Sequence, residues 1–164
     1  MAAMRATKAI IHLDNLKHNI TQIKQTLAPE TKICLPVKAD AYGHGAVQCA
    51  QILRENGVKT FAVATLQEAI IIRNSGATER IICLGITPDI YVDTLIDYDL
   101  IPVVCDSLNA KAISEAAAAK GKFIDCLIAI DTGMGRIGYL ADDLNFAIED
   151  IKRISVLPNV RILG

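Results

Sequence analysis

Tryptophan is absent from this 164-residue chain and aromatic residues make up only 4% of it, so the bulk of a core must come from Ile, Leu, Val and Ala. Charge of one sign is equally scarce. Lys+Arg 17 against Asp+Glu 18 leaves a formal net charge of −1, with no basic excess for nucleic acid or an anionic lipid surface. Long hydrophobic runs are missing too: Arg, Lys, Asp or Glu interrupts every apolar stretch well before the roughly 18 residues a membrane-spanning helix needs. The opening MAAMRATK has no apolar core of a secretory signal, which predicts a soluble, unexported, cytoplasmic chain. Cysteines are few and scattered. Cys34, Cys49, Cys83, Cys105 and Cys126 are odd in number and form no CxxC, against a secreted disulfide framework or a zinc ribbon. Most stand inside apolar runs such as Ile82-Cys83-Leu84 and are expected as buried, reduced thiols. His12, His18 and His44 form neither HxH nor HExxH, so no metal site is predicted.

What is present is a strongly apolar, patterned chain. A hydrophobic share of 52% with 21% charged residues excludes a disordered polyampholyte. Short runs rich in Ile and Val occur at 33–37, 61–64, 81–84, 101–104, 124–130 and 160–163, as expected for strands buried on both faces. Pro36 must then sit near a strand end or bulge. Between the runs, Leu13, Leu16, Ile20, Ile23 and Leu27 line one face of a helix capped near Asp14 or Asn15. Residues 45–56, 66–74, 107–120 and 142–153 read as further helices, and 88–96 as a shorter one.

After the first helix, strands and helices alternate, the signature of a parallel sheet with crossover helices. A doubly wound open sheet and part of a β/α barrel both fit. A complete barrel takes about 250 residues, so this length supplies about five or six strands. If a barrel, the chain is expected to be an N-terminal piece with open edges near its first and sixth strands, prone to association.

Two segments would carry chemistry. Val37-Lys38-Ala39-Asp40-Ala41-Tyr42-Gly43-His44-Gly45 follows the first buried run. A lysine at the C-terminal end of a strand lies on the rim where active sites of such folds collect, and burial there favours a nucleophilic amine able to form a Schiff base. Tyr42 and the two glycines stand at a helix entrance, a natural phosphate site. Asp131-Thr132-Gly133-Met134-Gly135-Arg136-Ile137-Gly138 follows the fifth run. Its three glycines imply unusual backbone angles or close ligand approach, and Arg136 offers planar charged donors to an anionic oxygen.

The first segment resembles the pyridoxal-phosphate attachment motif of alanine racemases, usually VKANAYGHG, and the second is similar to that family's barrel signature DTGMGRLG. The resemblance covers essentially the whole chain. It implies an α/β fold, specifically a partial β/α (TIM-type) barrel of about five to six parallel strands, with residues 1–164 as the N-terminal part. The rest of the barrel and a C-terminal β domain would lie outside it. It further implies pyridoxal 5'-phosphate as cofactor, alanine as substrate and a homodimer, supplying D-alanine for peptidoglycan. Carried over by motif position, Lys38 would hold the cofactor as a Schiff base and serve as the base on the D-alanine face. Tyr42 would bind the phosphate, Val37 and Leu84 would lie beside the ring, and Arg136 would approach the phenolic oxygen on the substrate side. The opposed base would be a tyrosine of the partner subunit, outside this sequence, so these residues alone are expected to be inactive.

Two positions depart from the family pattern. Asp40 stands where Asn is common, and Ala129 where a lysine, often carbamylated, commonly helps orient the arginine. A pyridoxal-phosphate homeostasis protein and a non-catalytic module pairing through open strand edges are the alternative readings.

Overall fold

The computed structural model describes residues 7–164. Helix α1 (Leu13–Thr26) precedes strand β1 (Cys34–Pro36), a helical turn α2 (Lys38–Gly43) and helix α3 (Ala46–Glu55). Strand β2 (Thr60–Val63), helix α4 (Leu66–Asn74) and strand β3 (Arg80–Cys83) follow. A single 3-10 turn at Asp89–Tyr91 leads into α5 (Val92–Asp97), β4 (Ile101–Val104) and α6 (Ser107–Ala119). The chain ends with β5 (Ile124–Ile128), β6 (Ile130–Asp131), β7 (Tyr139–Leu140), α7 (Leu144–Ser155) and β8 (Val160–Ile162).

Six strands make one parallel sheet in the order β1-β2-β3-β4-β5-β8, which is not closed. Its strands are neighbours in chain order, with β6 and β7 set apart as a separate two-stranded pair between β5 and β8 in sequence. Register runs Cys34 to Thr60 to Arg80 across the first three strands, and Val103 to Leu127 across β4 and β5. The predicted open edges fall on β1 and β8. Pro36 is tolerated because it ends an edge strand.

The core lies between the sheet and its helices. Phe61, Ile81, Val63 and Val104 of the strands meet Ile20, Leu53, Ile72 and Ile113 of the helices, all buried. Alternation is plain in β3, where Ile81 and Cys83 are buried while Ile82 and Leu84 on the opposite face are half-exposed. Among the described residues no helix is long and apolar enough to cross a membrane.

Several expectations need correction. Helix α1 is capped by His12, not by Asp14 or Asn15: the extended His12 backbone lets its carbonyl accept from the Asn15 and Leu16 amides. Asp14 falls instead in the first turn, where the helix dipole favours it. Helix α7 begins at Leu144, with Asp143 capping the Phe146 amide. The stretch 88–96 divides into the 3-10 turn and α5. The run 124–130 breaks at Ala129, whose N–H stays bonded to Val104 while its carbonyl turns to accept from Tyr139.

All five thiols are free; Cys49, Cys83 and Cys126 are buried, Cys105 is half-buried and Cys34, on the edge strand, is exposed. Burial pushes Cys83 and Cys126 up to about 12, with Glu68 and Asp125 respectively adding to it. Because the thiolate is the reactive form, a thiol reagent at pH 8 is expected to modify Cys34 first and to reach Cys83 and Cys126 only after denaturant is added. Mass spectrometry of the native, partially labelled chain checks this order.

Candidate active site

Lys38 leaves the C-terminal end of β1 into an unusual turn. Ala39, Asp40, Ala41 and Tyr42 have φ of 50°, 54°, 52° and 56°, four successive non-glycine residues in the left-handed region. Each is disfavoured by roughly 1–2 kcal/mol, so the turn persists only if its surroundings over-determine it. They do. The Ala41 N–H donates to the Val37 carbonyl and the Gly45 N–H to the Asp40 carbonyl, both at 2.9 Å. Asp40 Oδ1 accepts from the Ala46 N–H at 2.7 Å. His44 Nδ1 reaches the carbonyls of Ala41 at 2.8 Å and Tyr42 at 3.1 Å, and since carbonyls only accept, Nδ1 carries the proton. The Ala39 N–H donates to Glu68 Oε1 at 2.7 Å.

The turn folds the Tyr42 ring back toward the lysine. Lys38 Nζ lies 6.0 Å from the ring centroid, and the half-buried Lys38 makes no ion pair among the described residues. Tyr42 is 58% exposed, and its hydroxyl makes no hydrogen bond among the described residues. The acid at position 40 has a structural task, capping α3, that an amide oxygen would perform as well. It also narrows one expectation: the first N–H of α3 is occupied by Asp40, so the phosphate site expected there has one backbone donor fewer. Val37 is buried to 2% exposure beneath the turn. Leu84, two strands away beyond the end of β3, is half-exposed, with its N–H on the Val63 carbonyl at 2.8 Å.

The second segment is organised by its own first residue. Asp131 Oδ1 accepts from the Gly133 N–H at 2.9 Å and the Gly135 N–H at 3.0 Å. Those two amides, with those of Met134 and Arg136, hold its carboxyl below the usual carboxylate range against the opposing effect of burial. Gly138, at φ +116°, is irreplaceable for a steric reason: a Cβ there would lie 2.7 Å from the Asp131 nitrogen and 2.9 Å from the Ile130 carbonyl carbon. Arg136 is exposed, and its guanidinium has no hydrogen-bond partner among the described residues.

Both segments therefore emerge at the C-terminal end of one parallel sheet, but not side by side. Three strands separate β1 from β5, roughly 19 Å along the sheet at about 4.8 Å per strand. Lys38, Tyr42 and Val37 are brought together; Leu84 and Arg136 sit farther along the same rim.

Two acids that sequence reasoning missed hold this rim. Glu68 bridges α4 and the lysine turn. Asp150, on α7, accepts from the Ser107 N–H at 2.8 Å, the Ser107 hydroxyl at 2.6 Å and the Tyr139 hydroxyl at 2.7 Å. It thereby ties the start of α6 to the end of the 131–138 loop. A sequence signal existed for Glu68, since Thr65-Leu66-Gln67-Glu68 is a capping-box pattern. None existed for Asp150, whose Ser107 partner is 43 residues away.

The chain is similar to known proteins in sequence and in fold. A curated alanine racemase of Clostridium kluyveri is 46% identical over 152 residues, covering 93% of this chain and 38% of that protein. One from Clostridium tetani is 44% identical over 161 residues, covering 98% of this chain and 41% of its own length. The solved alanine racemase of Clostridium difficile 630 in complex with cycloserine superposes with a TM-score of 0.88 at 36% identity, over 93% of this chain and 41% of that one. The chain thus spans about 40% of the length of these relatives. With the partial barrel, the lysine turn and the glycine loop all in place, and a match from residue 11 to residue 164, the chain belongs to the family described as alanine racemase, N-terminal domain.

Proposed function

We propose that the protein containing this chain interconverts L-alanine and D-alanine with pyridoxal 5'-phosphate held at the C-terminal end of the sheet, and that it works as a homodimer. The observation that carries this reading is the lysine turn: an amine at a strand end, unengaged by any carboxylate, with a tyrosine ring 6.0 Å from it on a locked backbone. The donor set fits the cofactor. Lys38 offers an amine to its aldehyde carbon, Tyr42 a free hydroxyl to its phosphate, and Arg136 an uncommitted guanidinium to an anionic oxygen. Val37 backs the turn from below, and Leu84 presents an apolar surface farther along the rim.

When bound, the cofactor supplies an electron sink that acidifies the α-carbon of the amino acid. Lys38 Nζ would hold it and would carry the proton to and from that carbon on the D-alanine side. Tyr42 would anchor the phosphate, and Arg136 would stabilise negative charge on the substrate side. Racemisation requires a second proton carrier on the opposite face. The family resemblance assigns it to a tyrosine of the partner subunit, so residues 1–164 alone are expected to bind the cofactor without racemising alanine.

Pyridoxal-phosphate absorbance that survives dialysis tests the reading, and its absence after loading would overturn it. Tyr42→Phe is expected to weaken retention by about tenfold or more, since a hydrogen bond to a charged group contributes about 1.5–3 kcal/mol. Cofactor titration checks this; unchanged retention would remove Tyr42 from the site.

A further inference from the structure

We propose that Glu68 is a positioning residue for Lys38: its carboxylate clamps the end of β2 to the first amide of the left-handed turn and so fixes where the lysine amine stands. The geometry goes beyond a helix cap. A capping box needs one carboxylate oxygen on the cap residue's N–H, and Glu68 Oε2 serves it by accepting from Thr65 at 3.1 Å while Thr65 Oγ1 accepts from the Glu68 N–H at 3.3 Å. The same Oε2 also takes the Ala64 N–H at 2.7 Å. Oε1 is left for a residue 29 positions earlier, and it takes the Ala39 N–H at 2.7 Å. Ala39 is the residue next to Lys38 and the first of the four left-handed ones.

Just before the turn the Val37 N–H donates to the Ala62 carbonyl of β2 at 2.9 Å, and Cys49 Sγ lies 3.6 Å from the His44 carbonyl; the other bonds of the left-handed residues are local, made among residues 37–46. Glu68 is the side-chain tie between the first left-handed residue, Ala39, and the end of β2 with the start of α4. It also disposes of its own charge. With both oxygens engaged by three backbone N–H groups, the carboxylate makes no ion pair with Lys38, leaving the amine free for an electrophile.

The functional half of this inference rests on the reading that Lys38 holds pyridoxal phosphate; the clamp itself does not. Glu68→Gln keeps the shape but supplies one acceptor oxygen, so its NH2 must face either Ala39 or the Ala64–Thr65 pair, donor against donor. Thr65→Ala is the control, because it weakens the α4 cap and leaves the Ala39 bond in place. Two quantities are measured on the chain and both variants: amide hydrogen exchange over residues 38–44, and the rate at which Lys38 becomes borohydride-stably labelled by pyridoxal phosphate, mapped by peptide mass. Glu68→Gln is expected to speed exchange in the turn and slow Lys38 labelling by about tenfold each, as loss of charge-assisted bonds predicts. Exchange in β2–β4 should stay unchanged, and Thr65→Ala should alter Lys38 labelling by less than about threefold. Equal effects of the two variants on labelling, or no effect of Glu68→Gln on exchange in the turn, would overturn the proposal. If the parent chain shows no preferential labelling of Lys38, the cofactor reading falls, while the exchange comparison still decides the clamp.

Discussion

Lys38→Ala is expected to abolish borohydride-stable labelling of the chain by pyridoxal phosphate while leaving its fold intact. Condensation needs an unprotonated, reachable amine held beside groups that retain the rest of the molecule. The other lysines fail on one or more of these counts. Lys120 lies 2.6 Å from Asp97 and 3.3 Å from Asp93, and the Asp97 carboxylate, aided by Asp93, raises its amine above the ordinary lysine range. Lys111 and Lys152 pair with Glu115 and Glu149 on open helix faces. Lys32 precedes β1 and so lies at the opposite end of the sheet from the turn. Lys38 alone joins half-burial, freedom from carboxylates and a nearby tyrosine.

The fold should tolerate the change. Helix and strand contacts around position 38 are made by Val37 and Ala41, which the substitution leaves alone. Peptide mapping after reduction is the measurement. Lys38→Arg, which keeps the charge but cannot condense, should be equally unlabelled. Label that persists in Lys38→Ala, or that maps to Lys32 or Lys120 in the parent chain, would remove Lys38 from its assigned place.

The two parts of the site were unequally legible in the sequence. Strand and helix positions follow from apolar runs and 3.6-residue spacing, and β4 (Ile101–Val104) and α4 (Leu66–Asn74) fall where those patterns put them. The rim position of Lys38 follows from strand order alone. Its backbone does not: Ala39, Ala41 and Tyr42 have no preference for the left-handed region, and only Asp40 tolerates it readily. Hydrogen bonds among residues 37–46 and the Glu68 carboxylate from 29 residues away hold that conformation, and local propensity carries no trace of them. The same holds for Asp150, which reads as one more acid on an amphipathic helix until folding places Ser107 and Tyr139 against it. The 131–138 loop is intermediate. Its glycines announced unusual angles, whereas the role of Asp131 as acceptor for the loop's own amides appears only once those angles are set.

The largest expected loss of stability is at Asp150. Its side chain is nearly inaccessible, with 3% exposure, and every nearby group donates to it. Oδ2 takes the Ser107 N–H and the Tyr139 hydroxyl, and Oδ1 takes the Ser107 hydroxyl, with Arg153 Nη1 at 3.4 Å. Burial pushes its carboxyl up, but the Ser107 and Tyr139 hydroxyls, the Ser107 N–H and Arg153 together outweigh burial and hold it below the usual range. Burial and the Asp150 charge push the Tyr139 hydroxyl up in turn, so it remains a donor. Asp150→Ala leaves the Tyr139 hydroxyl and the two Ser107 donors without their acceptor and is expected to destabilise the chain by about 3–5 kcal/mol, since each buried unsatisfied group costs about 1–3 kcal/mol. Asp150→Asn preserves the volume but turns an NH2 toward donors, so most of the loss should remain. The sign of the pH dependence follows from the lowered carboxyl. Its contribution is complete above the unfolded carboxylate value near 4 and is lost as pH falls through the lower folded value. Urea unfolding at pH 7 and at pH 3 should therefore show a wide gap between the parent chain and Asp150→Asn that narrows in acid. A gap under about 1 kcal/mol at pH 7, or one that does not change with pH, would show that the cluster is not held by a charged carboxylate. Because Tyr139 closes the glycine loop that carries Arg136, the same variants should also speed amide exchange over residues 132–138 before the rest of the sheet opens.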